Sequence, residues 1–145
     1  MKYRFSKAST LWIEAGAMSG GSRNQLELPD WLAGFFDRRA RGHCRFATRL
    51  PNGRLRNGQL AHRGQLYGQW TDIWRLGLPT QAKGGPNYPG TVVRLDKVGI
   101  GKGRVYELSV APPGSRVARE WKHRAKQTGW IGSTGGHQGR RVGCW

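Results

Sequence analysis

Short stretches of alternating apolar and polar residues, separated by frequent turn signals, run through most of this chain. The first is Phe5–Ala15, whose Thr10-Leu11-Trp12-Ile13-Glu14-Ala15 is rich in β-forming residues and predicts an opening strand. The same pattern predicts short strands at 26–28, 44–50, 55–60, 91–95 and 105–110. Because no strand–helix–strand alternation is visible, about seven short strands of this kind predict a mainly β fold, a small barrel.

Two stretches carry helical spacing instead. Asp30 is placed to cap a short helix whose apolar residues at 31, 32, 35 and 36 would plug a β core. Residues 117–127 predict a basic helix, which the glycine-rich, basic stretch 129–145 follows. We therefore expect a barrel at residues 1–113. The extension at residues 114–145 should pack on the barrel or link it to a catalytic domain, and its glycine-rich end should order only on binding or against a neighbouring domain.

Turn signals indicate where the chain should reverse. Pro51-Asn52-Gly53 predicts a tight turn, and Asn57-Gly58 predicts a second one shortly after it. The run Gly99–Gly103 superficially resembles a phosphate-binding loop, but it lacks a Gly-Lys-Ser/Thr ending and leads into a strand. We therefore expect a hairpin turn there.

Leu66–Pro79 concentrates tryptophans beside hydrogen-bonding side chains, and it has two interpretations. Trp70, Ile73 and Trp74 stand at helical spacing, as in a short amphipathic helix that fills a core. Alternatively, the segment enters a DNA groove, where an amide suits adenine, an acid suits cytosine N4 and an arginine suits guanine. The pattern of this segment does not choose between the two.

Charge narrows the choice of partner. The formal net charge is +17, far more than solubility requires, and it points to a polyanion. No apolar run approaches the roughly 20 residues that span a bilayer, and the start lacks a signal peptide, so we expect a cytoplasmic protein without membrane contact. In a cytosolic protein Cys44 and Cys144 should be reduced thiols. A zinc site built from these cysteines with His43 and His137 would lack the paired short spacings of zinc modules, so neither a metal nor a cofactor is expected.

The order of these parts resembles the B3-like DNA-binding pseudobarrel, shared by plant transcription factors and the effector domains of restriction endonucleases. The likeness is to effector domains of the EcoRII, NgoAVII, BfiI and UbaLAI kind, and it covers roughly residues 8 to 111. Four short motifs carry it: Gly20-Gly21-Ser22-Arg23-Asn24-Gln25-Leu26-Glu27-Leu28-Pro29, Leu66-Tyr67-Gly68-Gln69-Trp70, Leu76-Gly77-Leu78-Pro79 and Tyr88-Pro89-Gly90-Thr91-Val92-Val93-Arg94-Leu95. The basic stretch after Pro113 has no counterpart in that pattern.

The resemblance implies a sequence-specific recognition domain whose two arms clamp the major groove of a short, G·C-containing DNA site. Its catalytic nuclease domain would lie elsewhere in a longer protein. The first arm would use Ser22, Arg23, Asn24 and Gln25, and the second Gln69, Trp70, Thr71, Asp72, Trp74 and Arg75. Phosphate contacts are expected from Arg38, Arg39, Arg41, Lys83 and Arg94.

Catalysis by this chain is not expected. Asp30 with Glu120-Trp121-Lys122 fits a carboxylate-plus-Glu-x-Lys nuclease pattern only at an unusual separation, and a helix cap and a charged helix turn explain both pieces. The histidines form no nuclease signature. Two alternatives stay open: a structure-specific RNA binder, which charge and tryptophans would serve equally well, and a small metal-dependent nuclease.

Overall fold

The computed structural model describes residues 5–18, 23–36, 44–48, 55–66, 69–83, 85–99, 104–134 and 139–145. At residues 33, 44–48, 55–66, 69–73 and 83 the backbone alone is described.

These residues form a mainly β structure, which confirms the predicted class. The strands are β1 (Thr10–Glu14), β2 (Gln25–Pro29), β3 (Cys44–Thr48), β4 (Leu55–Leu66), β5 (Gln69–Gly77), β6 (Val92–Val98), β7 (Val105–Ala111), β8 (Trp130–Ser133) and β9 (Arg141–Cys144). The α-helices are α1 (Asp30–Ala33) and α2 (Arg116–Thr128), and 3-10 turns lie at Phe5–Lys7 and Gln81–Lys83. The sheet order is β2-β5-β4-β3-β7-β6-β1-β9-β8, antiparallel throughout except for the parallel pair β3 and β7.

Strand β4 corrects the prediction of a turn at Asn57-Gly58. The strand runs without interruption to Leu66, beyond the expected end at residue 60. Its first residues pair with β3, as in Cys44↔Gly58, and its later residues pair with β5, beginning at Gln59↔Gly77. The Asn-Gly signal therefore marks the point where the strand changes neighbours rather than a chain reversal.

The helical interpretation of Leu66–Pro79 is also wrong, because Gln69–Gly77 is strand β5. Trp74 and Leu76 are buried while Arg75 and Gly77 between and after them are half-buried, which is the two-residue alternation of a strand. The hairpin expected around Gly99–Gly103 agrees with the antiparallel pairing of β6 with β7, whose last registered pair is Val98↔Val105. Residues 100–103 lie outside the described residues.

Both predicted helices are present, with one correction at α1. Pro29 is its N-cap and no side chain caps it, whereas Asp30 is the first helical residue and accepts a hydrogen bond from the Trp74 indole instead. Helix α2 is capped as its sequence allows, since Ser115 Oγ accepts from the Ala118 amide at 3.2 Å.

The stretch after residue 129 is not a separate tail in the described residues. β9 pairs with β1 on one side and with β8 on the other, so the sequence-distant ends of the chain are neighbours in the sheet. The expectation that this stretch orders only on binding is wrong for residues 130–133 and 141–144, because β9 pairs with β1 and β8 pairs in turn with β9.

Strands β1 and β6 are buried on both faces. The main core receives side chains from every part of the sheet whose side chains are described, including Leu26, Leu28, Leu95, Leu108 and Val142. On the opposite face, Trp12 and Val92 pack with Ala111 against α2, which contributes Ala118, Trp121 and Ala125. Helix α2 is therefore a second layer over the outer face of β1 and β6.

The two terminal strands of the sheet, β2 and β8, approach each other without forming a ladder. Trp31, which follows β2, meets Trp130 of β8 edge-to-face at 5.5 Å between ring centroids, and Phe5 touches both rings. Arg140, just before β9, donates through Nη2 to the backbone carbonyl of Glu27 in β2. Side chains thus join the ends of the sheet, and no closed barrel is formed by the strands described.

Candidate nucleic-acid interface

Residues 16–24, which connect β1 to β2, form what we term the first arm, and its beginning is fixed by the loop before β6. The Gly90 amide donates to the Gly16 carbonyl at 2.9 Å, and the Ala15 amide donates to the Thr91 carbonyl at 2.9 Å. Gly16 has a φ of 63°, a left-handed conformation that suits glycine and turns the chain away from the sheet.

The end of the first arm is held by Asn24. Its Nδ2 donates to the Leu78 carbonyl at 2.8 Å, and the Leu78 amide donates back to the Asn24 carbonyl at 2.8 Å. These two bonds continue the pairing of β2 with β5 by one residue beyond Gln25↔Gly77. Asn24 was predicted to contact bases, but its side-chain amide nitrogen instead donates the hydrogen bond that holds the end of the arm.

Arg140 lies close to both ends of the first arm, and no motif in the sequence marked this residue as part of the site. Its guanidinium bonds to Glu27 of β2, while its Cδ would lie 3.3 Å from a Cβ added at Gly16. Burial lowers the pKa of Arg140, and the negative charge of Glu27 acts in the opposite direction. The two ends of the arm are thus held by backbone and side-chain hydrogen bonds, with the half-buried guanidinium of Arg140 close to both.

Arg23 is the exposed functional group on this arm. Its φ of 47° is left-handed, a conformation that costs a non-glycine residue about 1–2 kcal/mol. The side chain is exposed. Gln25 is half-buried as the first residue of β2, and Ser22 lies outside the described residues. The structure therefore brings Arg23, Asn24 and Gln25 together beside Gly77 and Leu78.

Two residues assigned to the second arm belong to the body of the fold. Trp74 is 7% exposed and its Nε1 donates to Asp30 Oδ1 at 2.9 Å, so its ring serves the core. Arg75 sits opposite Glu27 in the β2–β5 register and pairs with it at 3.2 Å, with 21% of its side chain exposed. Trp74 is therefore a core residue and not a DNA contact. Arg75 could reach a base only by breaking its ion pair with Glu27.

The remaining second-arm residues, Gln69, Trp70, Thr71 and Asp72, open strand β5, where the backbone alone is described. Arg63 pairs with Ile73 and Gln65 with Trp70, so Thr71 and Asp72 together face the single residue Gly64. This is a β-bulge, a device that re-aims side chains and recurs near functional sites.

The two arms lie at opposite ends of β5. The first arm adjoins Gly77, while the second begins at Gln69, and a nine-residue strand separates these ends by about 26 Å. They are therefore two separate contact points rather than one cluster.

Among the expected phosphate contacts, Arg94 is committed inside the protein. Its Nε and Nη2 donate to Asp96 at 2.9 and 3.0 Å, and its guanidinium lies 5.3 Å from the Trp121 ring and 5.0 Å from the Trp145 ring. Arg38, Arg39 and Arg41 lie outside the described residues, and Lys83 is described only as backbone of a 3-10 turn.

The residues of the nuclease-like pattern are likewise engaged separately. Asp30 holds Trp74, Glu120 pairs with Arg116 at 3.3 Å, and Lys122 lies 3.8 Å from Glu14. Within the described residues, no three His, Cys, Asp or Glu side chains are grouped as a metal site. The Cys144 side chain is buried.

Comparison with known proteins gave no match to a family model, to a curated protein or to a solved structure. Neither α-helix of the described residues has the length and apolar character needed to cross a membrane.

Proposed function

We propose that this chain binds double-stranded DNA in a sequence-specific manner, as the recognition domain of a restriction endonuclease. The observation that carries the proposal is Arg23, an exposed arginine in a left-handed conformation on an arm whose two ends are fixed. A guanidinium presented in this way suits the paired acceptors of guanine, O6 and N7. Gln25 beside it offers an amide that suits adenine.

The fold we propose is a pseudobarrel of the B3-like kind. Support comes from the approach of β2 and β8 through Trp31, Trp130 and Arg140, with one core between them. The restriction-endonuclease assignment depends on the resemblance of the arm and strand sequences. In this proposal the cleaving domain lies outside this chain.

Charge supports a DNA partner, since the chain has 25 lysines and arginines against eight acids, and four of those acids form ion pairs within the described residues. Asp96 is held by Arg94, Glu27 by Arg75, Glu14 by Lys122 and Glu120 by Arg116. With a formal net charge of +17, the surface keeps a large cationic excess that polyanionic DNA would neutralise.

Selection of bound sequences from a random duplex pool tests this function, and Arg23→Gly tests the arm. We expect the variant to fold with unchanged or slightly raised stability, because glycine adopts a left-handed φ without the steric cost. Binding to the selected site should weaken by about 1–3 kcal/mol, the discrimination carried by one bidentate base contact. Binding to random duplex should fall much less, which titration of both duplexes measures.

Two controls accompany that selection. Duplex RNA as competitor separates DNA binding from the RNA alternative, and incubation with magnesium reports any cleavage by the chain alone. Recovery of no preferred sequence, or stronger competition by RNA than by DNA, contradicts the proposal. Equal losses on selected and random duplexes for Arg23→Gly would assign Arg23 to phosphates instead.

The bulge at Asp72 permits an equally direct test of the second arm. Asp72→Ala should cost about 1–3 kcal/mol on the preferred site if the acid accepts from cytosine N4. The salt dependence should stay the same, since no phosphate contact is lost. An acid that only lies near DNA repels phosphates, so tighter binding by Asp72→Ala would remove this residue from recognition.

A further inference from the structure

Helix α2 displays a row of basic residues on the side that faces away from the sheet. Ala118, Trp121 and Ala125, spaced i, i+3, i+7, are buried against Trp12 and Val92. The exposed side chains on the opposite side follow a parallel spacing, i, i+3, i+7, i+10, and we name them the basic row: Arg116, Arg119, His123 and Lys126.

The helix is firmly attached beneath this row. Arg94 lies under Trp121, Arg124 covers the Trp145 ring at 4.9 Å, and Lys122 reaches Glu14 at 3.8 Å. The cations that flank the row are therefore used to hold the helix in place. Within the described residues no ion pair occupies Arg119 or Lys126, and Arg116 meets only Glu120, an exposed pair of low energy.

The dimensions of the row fit a nucleic-acid backbone. From Arg116 to Lys126 it extends about 15 Å, at about 1.5 Å per residue. Phosphates along one strand of a duplex follow each other every 3.4 Å or so of axis, so the row spans about four of them. A membrane surface fits less well, because the apolar side that an interfacial helix must insert is already buried against the sheet.

We propose that the basic row of α2 binds the phosphate backbone of duplex DNA at a surface separate from the two arms. This inference rests on the proposed DNA binding, and it attributes the sequence-independent part of the affinity to the basic row. Because the contacts are to phosphates, the row should strengthen binding to every duplex alike and should raise its salt dependence. The basic row supplies the phosphate contacts that were expected from Arg94, whose guanidinium instead binds Asp96 and lies against two tryptophan rings.

The test compares two double variants with the same net charge. Arg119→Gln/Lys126→Gln removes half of the row, and Lys7→Gln/Arg141→Gln removes two exposed cations elsewhere. Glutamine preserves helix propensity, and circular dichroism with thermal unfolding checks that each variant folds. Binding is titrated on a selected site and on a random duplex between about 50 and 200 mM salt.

For the row variant we expect the log–log salt slope to fall by about 1.8, two contacts at about 0.9 each. Affinity for both duplexes should drop equally, by roughly tenfold to sixtyfold near 0.1 M salt. The matched variant should change little. Glu120→Gln should strengthen binding, because it removes a negative charge beside the row and releases Arg116.

Equal losses in the row variant and the matched variant would overturn the inference, since net charge alone would then explain both. Unchanged binding by the row variant would overturn it as well, while leaving the arms as the DNA-binding surface. Absence of duplex binding by the unaltered chain is a different result, because it removes the proposed function itself. Preferential binding of the row to duplex RNA would also count against the proposal.

Discussion

Arg94→Ala is expected to lower the free energy of unfolding by about 2–4 kcal/mol. The guanidinium lies 5.3 Å from the centre of the Trp121 ring and 5.0 Å from that of Trp145, and it donates two hydrogen bonds to Asp96, of 2.9 and 3.0 Å. A desolvated cation–π contact contributes up to about 2 kcal/mol, and a hydrogen bond to a charged group about 1.5–3. The truncation also leaves the Asp96 carboxylate with Thr10 Oγ1 as its remaining donor, at 2.6 Å.

Urea unfolding of three variants separates the contributions. Arg94→Lys keeps the charge but loses the planar fork, so it should retain part of the stability. Arg119→Ala removes an exposed arginine of α2 and should stay within about 0.5 kcal/mol of the unaltered chain. An Arg94→Ala variant as stable as Arg119→Ala would show that the tryptophan pair holds α2 without the cation.

Gly143→Ala should destabilise the protein by about 3 kcal/mol, at the upper end of overpacking costs. A Cβ at this position would lie 2.4 Å from Trp12 Cε2 and Cζ2. Trp12 is fully buried and pairs with Gly143 in the β1–β9 register, so the ring has nowhere to move. Thermal unfolding measures the loss.

A smaller side chain at the facing position should relieve that collision. The double variant Trp12→Leu/Gly143→Ala should lose less free energy of unfolding than the two single variants lose together, as expected for residues in contact. Gly114 provides a control: a Cβ there meets nothing within 4 Å, and its φ of 74° leaves only a conformational cost of roughly 1 kcal/mol. Strict additivity of the Trp12 and Gly143 changes would disprove the steric explanation.

Local periodicity was sufficient to predict most elements of the fold. Thr10–Glu14 is rich in β-forming residues, Val105–Ala111 alternates buried with half-buried positions, and the helix after Ser115 has apolar residues at helical spacing. The prediction of a turn at Asn57-Gly58 was wrong because turn propensity is local, whereas the conformation of β4 is determined by its hydrogen bonding to β3 and then to β5. Strand pairing therefore outweighed the turn propensity of the Asn-Gly dipeptide.

The residue types of the candidate site could be predicted from the sequence, but most of the contacts that these residues make could not. The sequence shows that residue 75 is an arginine, yet only the β2–β5 register places Glu27 opposite it. Arg94 and Asp96 share a face of β6 because they are two residues apart, but the Trp121 and Trp145 rings beside that guanidinium come from distant parts of the chain. Arg140 gave no signal, since its contact with Glu27 joins residues 113 positions apart. The position of the bulge at Thr71–Asp72 likewise depends on how β4 and β5 pair, which neither strand encodes alone.

The pairing of β9 with β1 has a consequence for how this protein is made in the cell. Strand β1 leaves the ribosome before β9, so its outer hydrogen-bonding edge stays open until residues 141–144 have also emerged. The same delay applies to the base of the first arm, which receives Arg140 from the same late segment. Contacts this distant in sequence slow folding, and an open strand edge invites pairing with other chains. During synthesis, therefore, β1 is the segment that a ribosome-associated chaperone would have to shield.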